Sequence, residues 1–260
     1  MISVVQLGRV DYATALELQR TLVDLRKQDK IPDTLLLLEH SPVVTLGRNA
    51  KDKNLLFSRE QLAARGVELF ECDRGGDVTF HGPGQLVGYP IFDLRQFTGP
   101  DGQRKTLGAV EYVRRIEEAL IRTCVELGVP ATRVAGLTGV WTEDGGSGQA
   151  KVAAIGVHIS RAVTSHGFAL NVNTDLDYFK LIVPCGISDK TVTSLAKELG
   201  NEMDWQVVCE SLTRSFGRVF KRQILWVESL DALLGRKVGI PLQVPEELRR
   251  IGGEEDFRMA

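Results

Sequence analysis

The sequence predicts an α+β domain, a mixed sheet flanked by helices, and three observations carry that expectation. Apolar runs of strand length crowd the N-terminal third, at residues 2–7, 34–39, Val43–Leu46 and 67–71. Three more, at 134–142, 152–160 and 163–172, follow one another with no helical pattern between them. The helical stripes are few and do not alternate regularly with strands, which disfavours a βαβ sheet.

Between these runs the local signals are specific. Residues 11–30 place Ala15, Leu18, Leu22 and Leu25 at helical spacing, a stripe that should face the core, and Pro32 closes the segment. Ser58 and Gln61 stand at capping-box spacing and start a short helix reaching about Arg65. Residues 86–94 read as a strand, and 97–105, with Gly99-Pro100-Asp101-Gly102, as a polar surface loop. Val110, Val113, Leu120, Cys124 and Leu127 mark one face of a long helix that ends near Gly128-Val129-Pro130. Residues 143–150 contain Gly145-Gly146-Ser147-Gly148 and read as a mobile link. Residues 193–199 and 204–220 read as helices, the second amphipathic. From Pro245 the chain is charged and contains Gly252-Gly253, so a loosely ordered tail is expected.

Composition excludes several function classes. The chain has 260 residues, of which 43% are hydrophobic and 25% charged, the balance of a globular protein with a sizeable core. A net charge of −2 gives no reason to expect nucleic acid or an anionic membrane as partner. The run Leu35 to Leu38 is far shorter than the roughly eighteen apolar residues of a membrane span. Asp11 and Glu17 argue against a transit peptide, and a cytoplasmic enzyme is expected. The four cysteines, Cys72, Cys124, Cys185 and Cys209, form no Cys-x-x-Cys, so neither structural zinc nor an iron–sulfur cluster is indicated. Reduced thiols fit this spacing better than disulfides.

The most informative segment runs from Arg74 to Tyr89: Arg74-Gly75-Gly76-Asp77-Val78-Thr79-Phe80-His81-Gly82-Pro83-Gly84-Gln85-Leu86-Val87-Gly88-Tyr89. Five glycines in sixteen positions suit neither an ordinary helix nor a packed strand, and they let backbone pass close to a ligand. Arg74 and His81 add a charge and a titratable donor. In Arg74-Gly75-Gly76, Thr79-Phe80-His81, Gly84-Gln85 and Tyr89 the run resembles the signature of the lipoyl(octanoyl) transferase family. The resemblance extends from about Leu7 to Phe220 and implies the fold of the biotin-protein and lipoate-protein ligase catalytic domain. It divides the chain into a catalytic domain over 1–225 and a C-terminal extension over 226–260.

Two further segments fit the same family. Lys151 enters the otherwise apolar Val152-Ala153-Ala154-Ile155-Gly156-Val157-His158, where an ammonium is costly to bury unless paired. From spacing alone a strand-edge lysine with a wet head group is the stronger reading. In Val183-Pro184-Cys185-Gly186-Ile187, Pro184 and Gly186 display a cysteine on a turn. Cys124 and Cys209 fall on helical apolar stripes and read as core residues. Cys72 abuts the glycine-rich run, and the residues alone put Cys185 only modestly ahead of it. The resemblance implies that Cys185 carries the acyl group and that Lys151 is its catalytic partner. It also implies an acyl-chain wall from Gly167, Phe168 and Ala169 in Ser165-His166-Gly167-Phe168-Ala169-Leu170-Asn171-Val172-Asn173, and substrate binding by Ala154, Ile155 and Gly156. The bland reading of that stretch is a sheet strand with Asn171 and Asn173 closing a turn.

His81 alone would most simply satisfy a backbone carbonyl; its place in the signature implies a polarising or proton-handling role. Arg74 either guides a negatively charged carrier arm or braces the loop. Gly75, Gly76, Asp77, Val78, Thr79 and Phe80 are expected to bind substrate beside them. His40, His158 and His166 show no metal-ligand spacing, and no metal or cofactor is expected.

The implied reaction is a two-step acyl transfer. Cys185 takes octanoyl from octanoyl-acyl carrier protein, and a lysine of a lipoyl domain then takes it from Cys185. The implied acceptors are lipoyl domains of 2-oxoacid dehydrogenase complexes and the glycine cleavage H protein, with the enzyme a monomer. An ATP-dependent lipoate-protein ligase shares the implied fold but has no use for a thiol in Pro-Cys-Gly. An amidotransferase moving octanoyl or lipoyl groups between proteins also uses a cysteine. A non-catalytic module that binds acyl carrier or lipoyl domains needs neither Lys151 nor Cys185.

Overall fold

The computed structural model describes residues 1–97, 106–144, 148–183 and 191–234. Cys185 with its Pro184 and Gly186, residues 98–105 of the polar loop, Gly145-Gly146-Ser147 and the tail lie outside the described residues.

A nine-stranded mixed sheet forms the centre. Its order is β12 (Ile224–Trp226), β1 (Ile2–Val10), β2 (Asp33–His40), β6 (Gln85–Ile91), β10 (Val163–Asn171), β9 (Gly148–Ser160), β8 (Leu137–Asp144) and β7 (Ala131–Val134), with β11 (Thr191–Val192) also paired to β9. The pairs β1–β12, β1–β2 and β11–β9 are parallel and the others antiparallel. Leu35 and Leu37 of β2 pack on one face, with α3 (Ala109–Glu126) and α5 (Trp205–Phe220). Leu36 and Leu38 pack on the other, with α1 (Tyr12–Lys27). This period-two alternation explains why Leu35 to Leu38 is continuously apolar: both faces of the strand are covered by helices.

A second, three-stranded sheet was not anticipated. It has the order β4 (Glu68–Glu71), β3 (Val43–Leu46), β5 (Val78–His81) and encloses a separate small core of Val44, Leu62, Val78 and Phe80 with Phe179 and Leu181. β5 corrects the view that the glycine-rich run holds no packed strand. Its glycines fall outside the four residues Val78–His81, all buried, which carry β-branched and aromatic side chains suited to a strand.

The caps follow the sequence. Asp11 accepts from the Thr14 amide at the start of α1, and Ser58 and Gln61 form a reciprocal capping box on α2 (Arg59–Ala63). α4 (Leu195–Leu199) starts after Ser194, which accepts from the Lys197 amide, so the helix begins two residues later than expected. On α3 the core face is Tyr112, Ile116, Ala119, Leu120 and Cys124, while Val110, placed on the expected stripe, is 76% exposed. The link at 143–150 is not loose at its ends: Glu143 pairs with Gln149 and Asp144 with Gly148 in the β8–β9 ladder. The boundary expected at 225 falls inside β12, and Leu230 of α6 (Leu230–Leu234) is buried in the α1-side core.

Candidate active site

A cleft with about 470 Å³ of free space, open to solvent, lies where the two sheets meet. Ala154, Ile155 and Gly156 of β9 and Gly167, Phe168 and Ala169 of β10 form one wall, and Arg74, Gly76, Asp77, Thr79 and His81 the other. Tyr12, Tyr89 and His166 complete it. Lys151 lines a narrower continuation with Gln85, Asn171 and Val192; Thr79, Ala154 and Ala169 belong to both spaces. Val78 and Phe80 alternate away from the cleft into the small core, so these two expected binding residues support β5 from behind. Gly75 meets β9 through its backbone, donating its N–H to the Val157 carbonyl at 3.0 Å.

Arg74 is occupied as a brace. Its Nε donates to Thr45 Oγ1 at 3.1 Å, Nη2 to the Thr45 carbonyl at 2.6 Å, and Nη1 to the Gly75 carbonyl at 3.1 Å. These bonds tie the loop to β3 and satisfy a largely buried guanidinium. Asp77 serves the same end: it accepts from the amides of Val78 and Lys51 and from Asn54 Nδ2. The Asn54 carbonyl in turn accepts from the Val183 amide at 2.8 Å. On the far side of residues 184–190, Val192 pairs with Lys151 and the Thr193 amide donates to the Lys151 carbonyl at 2.9 Å.

Lys151 is 7% exposed. β9 has two edges; near Lys151 one is held by β8 and the other by β11, which takes over where β10 ends. Its Nζ lies 4.7 Å from the centroid of the Trp141 ring, within cation–π range. Gly139 leaves room for the stem, since a Cβ there would stand 3.5 Å from Lys151 Cε. The strand-edge reading with a wet head group does not describe this residue.

His81 Nδ1 lies 2.8 Å from Gln85 Oε1, and Gln85 Nε2 donates to Asn171 Oδ1 at 2.9 Å. Burial drives the His81 pKa well below its ordinary value, and the charges of His40 and Arg74 push the same way. Behind it, His40 Nε2 meets the Tyr89 hydroxyl at 2.6 Å and Nδ1 the Val10 carbonyl at 2.8 Å. Burial lowers the His40 pKa to about 4. At the rim, His166 Nε2 lies 2.8 Å from Asp73 Oδ1 and His158 Nε2 3.6 Å from Oδ2. Burial raises the Asp73 pKa, but the His166 hydrogen bond and the two histidines outweigh it and hold the carboxyl below its ordinary value.

Cys124 and Cys209 are core residues as expected, and burial pushes their thiols up to about 12 and about 11. Cys72 is half-buried and its thiol donates to the Leu46 carbonyl at 3.4 Å. Among the described residues no group of three or more His, Cys, Asp or Glu could hold a metal ion. No described helix is long and apolar enough to cross a membrane.

Sequence reasoning did not assign Tyr12 or His166 to the cleft, nor Asp73 as the partner of His166. Tyr12 carries no local signal, because it reaches the site from the first turn of a helix. His166 has one in the structure alone, a left-handed backbone (φ 53°) at a non-glycine residue.

Residues 11–217 match the lipoyl protein ligase A/B catalytic domain family. The chain belongs to that family. It is 65% identical to an octanoyltransferase of Koribacter versatilis over 100% of both chains. It is 62% identical to one of Acidobacterium capsulatum, over 90% of this chain and 96% of that one. Among solved structures, a lipoate-protein ligase A bound with ATP superposes with a TM-score of 0.66 at 16% identity, covering 88% of this chain and 89% of that one. A bipartite lipoate protein ligase from Thermoplasma acidophilum gives 0.63 at 16% identity, covering 88% of this chain and 87% of that one. At such identity these two establish the expected ligase-type fold and nothing finer.

Proposed function

We propose that the chain is an octanoyltransferase of protein lipoylation. It moves octanoyl from an acyl-carrier thioester to the ε-amine of a lysine on a lipoyl domain, through an acyl-thioester on Cys185. The observation that carries this reading is the 65% identity to an octanoyltransferase over the whole length of both chains. The cleft supports it: apolar side chains of β9 and β10 flank free space that runs on to a buried lysine.

In the first half-reaction the Cys185 thiolate attacks the donor thioester carbonyl, and the carrier thiolate leaves and takes up a proton. A free thiol, with a pKa near about 8.5, is mostly protonated at neutral pH, so it needs a proton acceptor, which is the role of Lys151. In the second half the acceptor lysine's neutral amine attacks the Cys185 thioester. The C–S bond breaks, the amide forms, and the amine's extra proton passes by way of Lys151 to the departing thiolate. The Gly75 N–H is already given to the Val157 carbonyl, so the backbone N–H of Gly76, which lines the cleft, is the candidate to stabilise the oxyanion of each half. The route needs neither metal nor nucleotide because the donor is already activated. The donor is octanoyl-acyl carrier protein, and the acceptors are lipoyl domains of 2-oxoacid dehydrogenase complexes and the glycine cleavage H protein.

The test supplies a lipoyl domain with octanoyl-acyl carrier protein in one reaction and with free octanoate and ATP in another. Modification of the acceptor from the thioester alone supports the transferase. Modification only with free acid and ATP replaces it with a ligase, and binding without modification replaces it with a non-catalytic module.

A further inference from the structure

A line of buried groups runs from Thr193, the residue after β11, to His81, and each contact fixes the next. The Thr193 carbonyl accepts from Asn171 Nδ2 at 2.8 Å. A carbonyl oxygen only accepts, so the Asn171 amide must turn its nitrogen toward Thr193 and its oxygen toward Gln85. That oxygen accepts from Gln85 Nε2 at 2.9 Å, and the same nitrogen reaches the Phe80 carbonyl at 3.2 Å. Turning either amide around would set oxygen against oxygen. Gln85 therefore presents Oε1 to His81 Nδ1 at 2.8 Å. An amide oxygen has no proton to give, so Nδ1 carries the proton.

We infer that Gln85 and Asn171 are positioning residues that hold His81 as the Nδ1–H tautomer, with Nε2 left as a hydrogen-bond acceptor for a donor entering the cleft. The identity of that donor, the S–H or N–H of a reacting group, rests on the octanoyl-transfer reading; the tautomer does not. His81 so held does not stabilise an oxyanion, because Nε2 has no proton to offer. Acquiring one is opposed by burial and by the neighbouring His40, Arg74 and His166. Tyr12 stacks on the ring with its centroid 6.3 Å away. Thr193 also donates its own N–H to the Lys151 carbonyl at 2.9 Å. One residue thus anchors the main chain of Lys151 directly and the ring of His81 through two amides.

The experiment is long-range ¹H–¹⁵N correlation spectroscopy of the ¹⁵N-labelled full chain near neutral pH. The chain has four histidines, and His81→Phe identifies the His81 signals by their loss. The expected spectrum has a protonated Nδ1 and an unprotonated Nε2. The reverse tautomer or an imidazolium in the wild type overturns the inference. Gln85→Leu removes the acceptor and is expected to lose the signature and lower kcat for octanoyl transfer roughly tenfold or more, with KM for the donor little changed. Gln85→Glu can replace the amide only with its carboxyl protonated, since a carboxylate would set oxygen against the Phe80 carbonyl and Asn171 Oδ1; in that neutral form it is expected to retain a protonated Nδ1 and recover part of kcat. A Gln85→Leu protein with unchanged tautomer and kcat overturns the inference. If that variant does not fold, the wild-type spectrum and Gln85→Glu decide. The predicted tautomer in a wild type that transfers no octanoyl group would sink the functional reading and leave the positioning role standing.

Discussion

Gly156 of β9 and Gly75 of the cleft loop meet backbone to backbone: a Cβ built on Gly156 would stand 2.7 Å from the Gly75 carbonyl oxygen. That approach brings Arg74 and Gly76 against the β9 wall and closes one side of the cleft. A side chain at 156 must push the loop away, and the obstacle is backbone that cannot rotate aside. Gly156→Ala should cost about 1–3 kcal/mol in stability, read by urea denaturation. Octanoyl transfer by the remaining folded protein should also fall. Full transfer activity in Gly156→Ala would contradict the role of this contact.

The cleft floor makes the fold sensitive to acid. His40 is buried with Nδ1 on the Val10 carbonyl and Nε2 on the Tyr89 hydroxyl, an arrangement of the neutral ring. Its folded pKa is about 4 against an ordinary 6.5. The unfolded chain therefore binds a proton below about pH 6.5 that the folded chain refuses until near pH 4, and stability falls as pH drops through that window. His40 alone accounts for about 3 kcal/mol of loss by pH 4. His81 and His166, whose pKa values are also lowered mainly by burial, add in the same direction. Denaturation midpoints between pH 7.5 and 4.5 should fall steadily, and less steeply in His40→Gln. A slope unchanged by that substitution would remove His40 from the account.

Arg26 and Asp33 form a buried pair that ties the end of α1 to the start of β2. Arg26 Nε donates to Asp33 Oδ1 at 2.9 Å, and the same oxygen accepts from the Asp93 amide at 2.9 Å. Asp33→Ala strands a buried guanidinium and an amide, and should cost about 3–5 kcal/mol. Asp29 also meets Arg26, at 2.7 Å, but is largely exposed. Asp29→Asn, which removes the charge but suits the left-handed backbone at φ 56°, should cost less than about 1 kcal/mol. Equal losses in the two variants would contradict the assignment.

Much of the fold was legible because single residues carried strong local signals. Ser58 with Gln61 announced α2, and the unbroken Leu35 to Leu38 run reflected a strand covered on both faces. Val110 misled because apolar spacing says nothing about which side of α3 the sheet will meet. The three-stranded sheet stayed hidden because β3, β4 and β5 gain their partners only through tertiary pairing. The same holds for the cleft. Arg74, His81 and Lys151 stood out by residue type and neighbours, whereas Arg74's service to Thr45 depends on a contact twenty-nine residues away. The Gln85 and Asn171 amides are eighty-six residues apart in the chain.

On the proposed route, substitution of Lys151 separates two modes of thiol activation. Lys151→Met should fold, because the stem already packs beside Gly139, and should lower transfer by roughly a hundredfold or more. Lys151→Arg preserves the positive charge but cannot accept a proton, so it should not restore transfer. Restoration by arginine would contradict the proton-acceptor role and leave electrostatic support of the thiolate.

The most direct measurement is the intact mass of the protein after mixing with octanoyl-acyl carrier protein, without ATP and without acceptor. The account predicts one added octanoyl group on the wild type, none on Cys185→Ala, and discharge of the adduct when a lipoyl domain is added. An adduct that persists in Cys185→Ala, or acceptor modification with no adduct at any time, would contradict a route through Cys185.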